Sequence, residues 1–347
     1  MKKIAYIEID THAEIAQDFL NLTKNSDEIS VDFYFSKKIK NQTSALDKHV
    51  FLSSQKTILQ QLQKKKYDLV IIGTAHRYFS TFLEITRRYK TAVIVHNRAF
   101  STLSKGGLFK SIFKKDIFFR LKLFLREGLM DSGKVFKNAK SLLVLDHHLS
   151  DQNHFFLPLF YTKKFQKGQN ENVTVVIPGG VSQDRRDYHT VFNKIKNASH
   201  DRNFTFVFLG KAQGELLEKL KELQKSLSKN IKIVFFPERV PTHIFDEWMK
   251  KSDVLWCPVQ SETEFFSCRE VYGKTKMTGN IGDAIKYGKP AIFPKSYAST
   301  HDFLIAEEDD IFSQMIVLQE KRFSFENYSK ENVLKAVEKL VLDLILT

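Results

Sequence analysis

The sequence predicts an α/β protein built as two doubly wound parallel-sheet domains that face each other across a cleft. Three observations carry that expectation. Short, fully apolar runs rich in Ile, Val and Phe alternate with amphipathic helical patterns, which is how strands buried on both faces and their crossover helices read. A polar stretch with no apolar period, TKKFQKGQNEN at 162–172, interrupts this train, which then restarts. Several runs end in loops bearing Gly, His or Arg, and the loops at strand carboxyl ends are where open α/β sheets hold ligands.

In the first half KIAYIEI precedes EIAQDFLNL, DLVIIGTA precedes FSTFLEITRRY, and TAVIVHN and SLLVLDH follow as further strands. The second train is VTVVIPG, FTFVFLG, IKIVFFP, DVLWCPV and PAIFP. These runs divide the chain into a first domain at 1–160, a linker at 161–172, a second domain at 173–325 and a terminal segment at 326–347. The last of these carries Leu and Val at helical spacing in KENVLKAVEKLVLDLIL, so it is expected to dock on one of the domains.

The 347 residues carry a formal charge of +14, which points to an anionic partner: a phosphorylated ligand, nucleic acid or an anionic membrane surface. Two cysteines, Cys257 and Cys268, fit neither a disulfide scaffold nor a zinc site and imply a reducing cytoplasm. The opening MKKIAYIEID breaks its apolar run at Glu8 and Asp10, unlike a signal peptide, and no uncharged run is long enough to span a bilayer. Any membrane contact is then peripheral, on the inner face of the plasma membrane.

The strand-end loops supply the chemistry. In IPGGVSQDRRDYHTVF, Gly179 and Gly180 allow close backbone approach, and Arg185 and Arg186 bring guanidinium groups suited to a diphosphate; the alternative is a plain turn with surface ion pairs. Lys211 stands at the tip of FLGKAQGE as a point charge or a solvated lysine. The segment FFSCREVYGKTKMTGNIGDAIKYGKP holds Glu270, Lys274 and Lys276. Its amides from Thr278 through Gly279, Asn280 and Ile281 to Gly282 can form an anion nest at a helix start. Asp283 follows, either as a grip on ribose hydroxyls or as a first-turn acid that suits the helix dipole.

The order of these pieces resembles the GT-B glycosyltransferases, two Rossmann-like domains across a cleft, and family four most closely. DLVIIGTAH and TAVIVHN resemble paired strands of that family's acceptor domain, KNAKSLLVLDHHLSDQ its "ad-x-vi-x-vS" segment and FFLPLFY its strand before the linker. VTVVIPGGVSQDRRDY, FTFVFLGKAQGELLEKLKEL and IKIVFFPERVPTHIFDEWMKKSDVLWCPV fall where the family has its donor-phosphate loop and the two strands after it. DAIKYGKPAI resembles "EAMACGxPVI", which implies that Asp283 contacts the donor ribose and that Arg185 or Arg186 replaces a phosphate-binding lysine. Two departures stand out: Thr275 occupies the place of the family's other glutamate, and the position of the family's usual arginine falls near Gly179.

The first loop departs as well. IEIDTHAEI places Asp10, Thr11 and His12 at the mouth of the expected cleft, where His12 resembles the histidine of some inverting GT-B enzymes. An imidazole there can take a proton from an acceptor hydroxyl, or Asp10 and Thr11 simply cap the helix. His12 ranks first for base chemistry and His96, after TAVIV, second; His76 sits on an equivalent loop.

Residues 105–128, KGGLFKSIFKKDIFFRLKLFLREG, interleave seven Lys or Arg with Phe, Leu and Ile. This pattern suits a basic amphipathic helix on an anionic membrane surface, or a core-facing helix with solvated lysines; no nucleic-acid reader motif accompanies it. The combined expectation is a glycosyltransferase that needs no cofactor or metal and moves a sugar from a nucleotide sugar to a bacterial surface glycan acceptor. The basic stretch suggests that this acceptor is lipid-linked. A nucleotide-sugar epimerase, or a non-catalytic accessory protein binding membrane or nucleic acid, would use the same fold.

Overall fold

The computed structural model describes residues 1–43, 48–163, 172–198, 200–297 and 299–346, so most of the expected linker lies outside the described residues. The first sheet contains β1 (Lys2–Glu8), β2 (Ile29–Phe35), β3 (Val50–Leu52), β4 (Leu69–Ile72), β5 (Thr91–Ile94), β6 (Ser141–Val144) and β7 (His154–Phe156). Its seven strands run in the order β3-β2-β1-β4-β5-β6-β7, all parallel.

The second half opens with β8 (Val173–Pro178), β9 (Phe204–Lys211), β10 (Ile231–Phe236) and β11 (Val254–Trp256). An antiparallel hairpin follows, β12 (Glu262–Phe265) with β13 (Cys268–Val271), and then β14 (Ala291–Phe293) and β15 (Leu304–Ala306). Six of these strands form a parallel sheet in the order β10-β9-β8-β11-β14-β15. The order reverses at β1/β4 in one sheet and at β8/β11 in the other, which opens a crevice at the strand carboxyl ends in each.

The continuous apolar runs have a direct cause. In β1, Ile4 and Tyr6 pack with Ala16 and Phe19 on one face, while Ala5 and Ile7 join Phe79 and Phe82 on the other. Successive side chains of a strand point to opposite faces, so a strand covered on both sides is apolar at every position.

Strands that break this rule escape the sequence pattern. β2 carries Asp32, whose buried carboxylate accepts hydrogen bonds from Lys65 at 2.6 Å and Tyr67 at 2.7 Å. β3, β7 and β15 are short strands at sheet edges, each with an exposed position, so no continuous apolar run marks them. The hairpin is amphipathic and half-exposed, unlike the sheet strands.

The two halves are packed together. Leu157, Leu159 and Phe160 belong to an apolar cluster that also holds Ile4 and Phe19 of the first half and Val176, Ile281 and Ile285 of the second. Asp18, on the helix Ala13–Thr23, pairs with Lys286, on the helix Gly279–Tyr287, at 2.5 Å. The final helix, Lys330–Leu346, returns to the first half, where Ser26 donates to Glu338 at 2.5 Å and Lys90 to the Ile345 carbonyl at 2.6 Å.

Residues 105–128 do not form one helix. They fold as Lys105–Ile112, Ile117–Lys122 and a π-turn Leu123–Glu127, broken where Asp116 takes φ 50°. Among the described residues no helix is long and apolar enough to cross a membrane.

Candidate functional site

The two crevices open onto one cavity of about 610 Å³ between the halves. Its first-half wall comes from the ends of β1, β4 and β5: Thr11, His12, Glu14, His76, His96 and Asn97. Arg185, Arg186, Lys276, Thr278, Gly279, Asp283 and Lys286 form the second-half wall, with Thr263, Glu264 and Phe265 of the hairpin beside them.

The second-half wall grows from a tight junction of glycines. Gly179 has φ 102°, and a Cβ on Gly210 would stand 2.2 Å from the Gly179 carbonyl oxygen, so the ends of β8 and β9 meet only because both are glycine. That approach lets the next residues turn toward the helix Gly279–Tyr287. Arg186 donates to Asn280 Oδ1 at 3.1 Å and to the Gly180 carbonyl at 3.3 Å, and Asn280 Nδ2 donates to the Pro178 carbonyl and to Asp283. Thr278 caps the helix through the Asn280 amide, leaving its first turn at the cavity wall.

This wall is cationic and partly dry. Burial lowers the Lys276 ammonium to about 8 against the pull of Glu270, with Arg185 lowering it further. Burial raises the Asp283 carboxyl, while Lys286, Asn280 and Arg186 draw it down. Together the wall presents guanidinium, ammonium and helix amides to one space, with a carboxylate beside them; such a set binds an anion and adjacent hydroxyls.

Opposite stand three histidines. His12 precedes the helix Ala13–Thr23 with φ 61°, an uncommon backbone for a non-glycine residue. Its ring stacks on His96 at 4.0 Å between centroids, and His76 lies edge-on at 6.1 Å. Because a carboxylate only accepts, the 3.0 Å contact to Glu14 places the proton on His12 Nδ1 and leaves Nε2 as the basic nitrogen. His96 donates from Nε2 to the Gly73 carbonyl at 2.8 Å, and burial above all, with the Lys276 ammonium nearby, holds it neutral. His76 accepts from Asn97, whose oxygen takes the Lys276 ammonium from across the cleft. Burial keeps His76 neutral too.

The loop that carries His12 rests on Glu8. This buried carboxyl accepts from the Thr74 hydroxyl at 2.6 Å and from the amides of Asp10 and Thr11 at 3.2 and 3.3 Å, and burial raises it to about 8.

The structure gathers most, not all, of the residues singled out by sequence. His12, His96, Arg185, Arg186, Lys276, Thr278, Gly279 and Asp283 line the one cavity. Gly179, Gly180 and Asn280 stand behind them and fix Arg186. Gly282 packs on Phe160, and Ile281 lines a separate apolar cavity of about 500 Å³ with Phe160, Ile285 and Val333. Asp10 is buried away from the cavity beside Arg77 at 3.8 Å, and Lys211 is exposed at the end of β9 outside the lining. Among the described residues no three His, Cys, Asp or Glu side chains are grouped to hold a metal ion.

Sequence reading missed Glu14, Asn97, Lys286 and the hairpin residues Thr263 to Phe265. Glu14, two positions after His12, carried a usable signal as an acid beside a candidate base. The others reach the cleft from segments whose partners are far away in sequence. Glu270, fully buried, accepts from the amides of Ala99 at 3.3 Å and Phe100 at 2.9 Å, so it tethers the second half to the first rather than facing the cavity.

No family model matches the chain, and no curated protein matches it. Solved structures do. The lipopolysaccharide outer core galactosyltransferase WaaB, in its apo form, is similar at 11% identity over 98% of this chain and 99% of its own, with a TM-score of 0.56. A UDP-glucosyltransferase from Polygonum tinctorium is similar at 9% identity over 100% and 99%, with a TM-score of 0.53. A UDP-N-acetylglucosamine 2-epimerase is similar at 10% identity over 99% and 96%, with a TM-score of 0.50. At such identities the likeness concerns architecture. Two parallel α/β sheets facing across a cleft, over the full length of these chains, give the protein the GT-B fold.

Proposed function

We propose that the protein is a glycosyltransferase that binds a nucleotide-diphosphate sugar on its second-half wall and transfers the sugar to a glycan acceptor held against the first. One observation carries the reading: Arg185, Arg186, Lys276, the first turn of the helix Gly279–Tyr287 and Asp283 converge on the cavity that His12 enters from the other side. Arg185, Lys276 and the helix amides would neutralise charge on the departing diphosphate, work that needs no resident metal. Asp283 would hold ribose hydroxyls, as the resemblance to family four implies. His12, oriented by Glu14, would take the acceptor proton through Nε2.

That pair favours inversion at the anomeric carbon, whereas the family-four likeness alone implies retention; the anomer of the product, read by NMR, decides between them. We place the acceptor among lipid-linked bacterial surface glycans at the inner face of the plasma membrane, on the strength of the basic aromatic stretch. Thermal-shift screening of nucleotide sugars identifies the donor. Asp283→Ala should then weaken nucleoside-diphosphate binding about tenfold or more in calorimetry, and unchanged affinity would refute the site.

A further inference from the structure

Residues 105–128 expose an unusual amount of apolar surface. Phe118 is 90% exposed and Leu125 69%, with Phe109, Phe113, Ile117, Phe119 and Leu121 also open to solvent. Lys105, Lys110, Lys114, Lys115, Lys122 and Arg126 are exposed among them, against Asp116 as the exposed acid of the stretch. Exposed aromatics set among cations match an anionic lipid surface in both apolar content and charge.

One cation of the stretch behaves differently. Arg120 is only 6% exposed and points inward, where it donates to the Ser111 carbonyl and, at 2.7 Å, to Ser267 Oγ, with its guanidinium 5.4 Å from the Phe266 ring. Phe266 and Ser267 are the tip of the β12–β13 hairpin from the other half, and both have positive φ, 50° and 56°. A two-residue hairpin loop takes φ > 0 at both positions to match the strand twist, here without the usual glycine, and the tip packs on Phe100, 5.2 Å from Phe266.

The same hairpin leads to the cleft. Phe265 lines the cavity with its ring 4.4 Å from His76, and Glu270 fixes the amides of Ala99 and Phe100. Beyond β13, the Thr275 carbonyl accepts from the Arg98 amide, and Lys276 reaches Asn97. A continuous set of contacts thus runs from the exposed aromatic face through Arg120 and the hairpin to the cationic wall.

We propose that residues 105–128 dock on an anionic lipid bilayer and that the clasp of Arg120 on the Phe266–Ser267 tip transmits docking to the hairpin that walls the cleft. An amphiphilic acceptor in that bilayer would meet a cleft already set by its membrane; this last step alone rests on the transferase reading. The docking and its transmission need no substrate, so they are tested without one.

The purified chain is sedimented with vesicles of phosphatidylcholine, with or without about one third phosphatidylglycerol. Reaction of Cys268 with a maleimide is followed in parallel; this half-exposed thiol lies next to the hairpin tip, and the other cysteine, Cys257, is buried. The expected result is binding to the anionic vesicles that weakens with salt, and a Cys268 rate that changes at least about threefold on binding. Phe118→Asp should lose both, by about tenfold or more in binding. Ser267→Ala and Arg120→Lys should still sediment and lose the change in Cys268 rate.

Failure to bind anionic vesicles, or equal binding to neutral ones, overturns the docking. An unchanged Cys268 rate on bound vesicles, or an undiminished response in Ser267→Ala, overturns the transmission. A chain that ignores vesicles but dimerises through this face, and becomes monomeric as Phe118→Asp, assigns the face to a second copy instead.

Discussion

Lys276→Met removes one charge from the cationic wall while keeping most of the apolar stem that lines the cleft. In the wild type the ammonium is partly dehydrated: burial lowers it to about 8 despite Glu270, and Arg185 lowers it further. A charge-assisted hydrogen bond to a phosphate oxygen contributes about 1.5–3 kcal/mol, so the variant should bind a nucleoside diphosphate roughly 10–150-fold more weakly at neutral pH.

The pH dependence provides a second, independent signature. An anion favours the protonated amine, so wild-type affinity should be level below pH about 8 and fall above it, by at most about tenfold per pH unit. The Met variant lacks this limb. Calorimetric titration of wild type and variant, with the nucleoside diphosphate found by thermal shift, measures both effects at pH about 7 to 9.5. A variant within twofold of wild type, or the same pH slope in both, would refute the assignment of Lys276 to the anion.

Other parts of the structure make further predictions. His12→Gln should cut turnover about 10²–10⁴-fold with diphosphate affinity unchanged, and Glu14→Gln should shift the pH–rate profile; retained turnover in His12→Gln excludes it as the base. Glu8→Gln bears on stability: burial raises this carboxyl from 4.5 to about 8 in the fold, against hydrogen bonds from Thr74 and the Asp10 amide. Between those pH values the folded chain therefore binds a proton that the unfolded chain has lost, and stability falls as pH rises, by up to about 1.4 kcal/mol per unit. The Gln variant should flatten that decline in Tm, and an identical slope counts against it. Gly282→Ala would place a Cβ 2.9 Å from Phe160 Cε1 and should cost about 1–3 kcal/mol in urea unfolding; an unchanged midpoint would show that Phe160 yields freely.

How much of this was legible in the sequence depended on how local each signal is. The fold rested on runs such as KIAYIEI and VTVVIPG, whose uninterrupted apolar character follows from burial on both faces of a sheet and needs no knowledge of neighbours. β2 was harder, because Asp32 breaks the run and is made tolerable only by Lys65, Tyr67 and His49 brought from elsewhere. The loop residues Arg185, Arg186, Lys276 and Asp283 were recognisable by type and by their place after strands. Lys211 had the same credentials and lies outside the cavity. Asp10 likewise sat at a strand end, yet its neighbour is Arg77 rather than the cleft.

The sequence by itself determined the buried apolar strands of both sheets, their parallel arrangement and the supply of cations at the ends of the second train, because each is encoded within about a dozen residues by period, glycine placement and charge. Only the tertiary structure decided which cations share a space, that His12 stacks on His96, and that a hairpin from one half is clasped by the basic stretch of the other. Those are contacts between residues distant along the chain, often more than a hundred positions apart, and chain packing rather than local propensity brings such groups within a few ångströms.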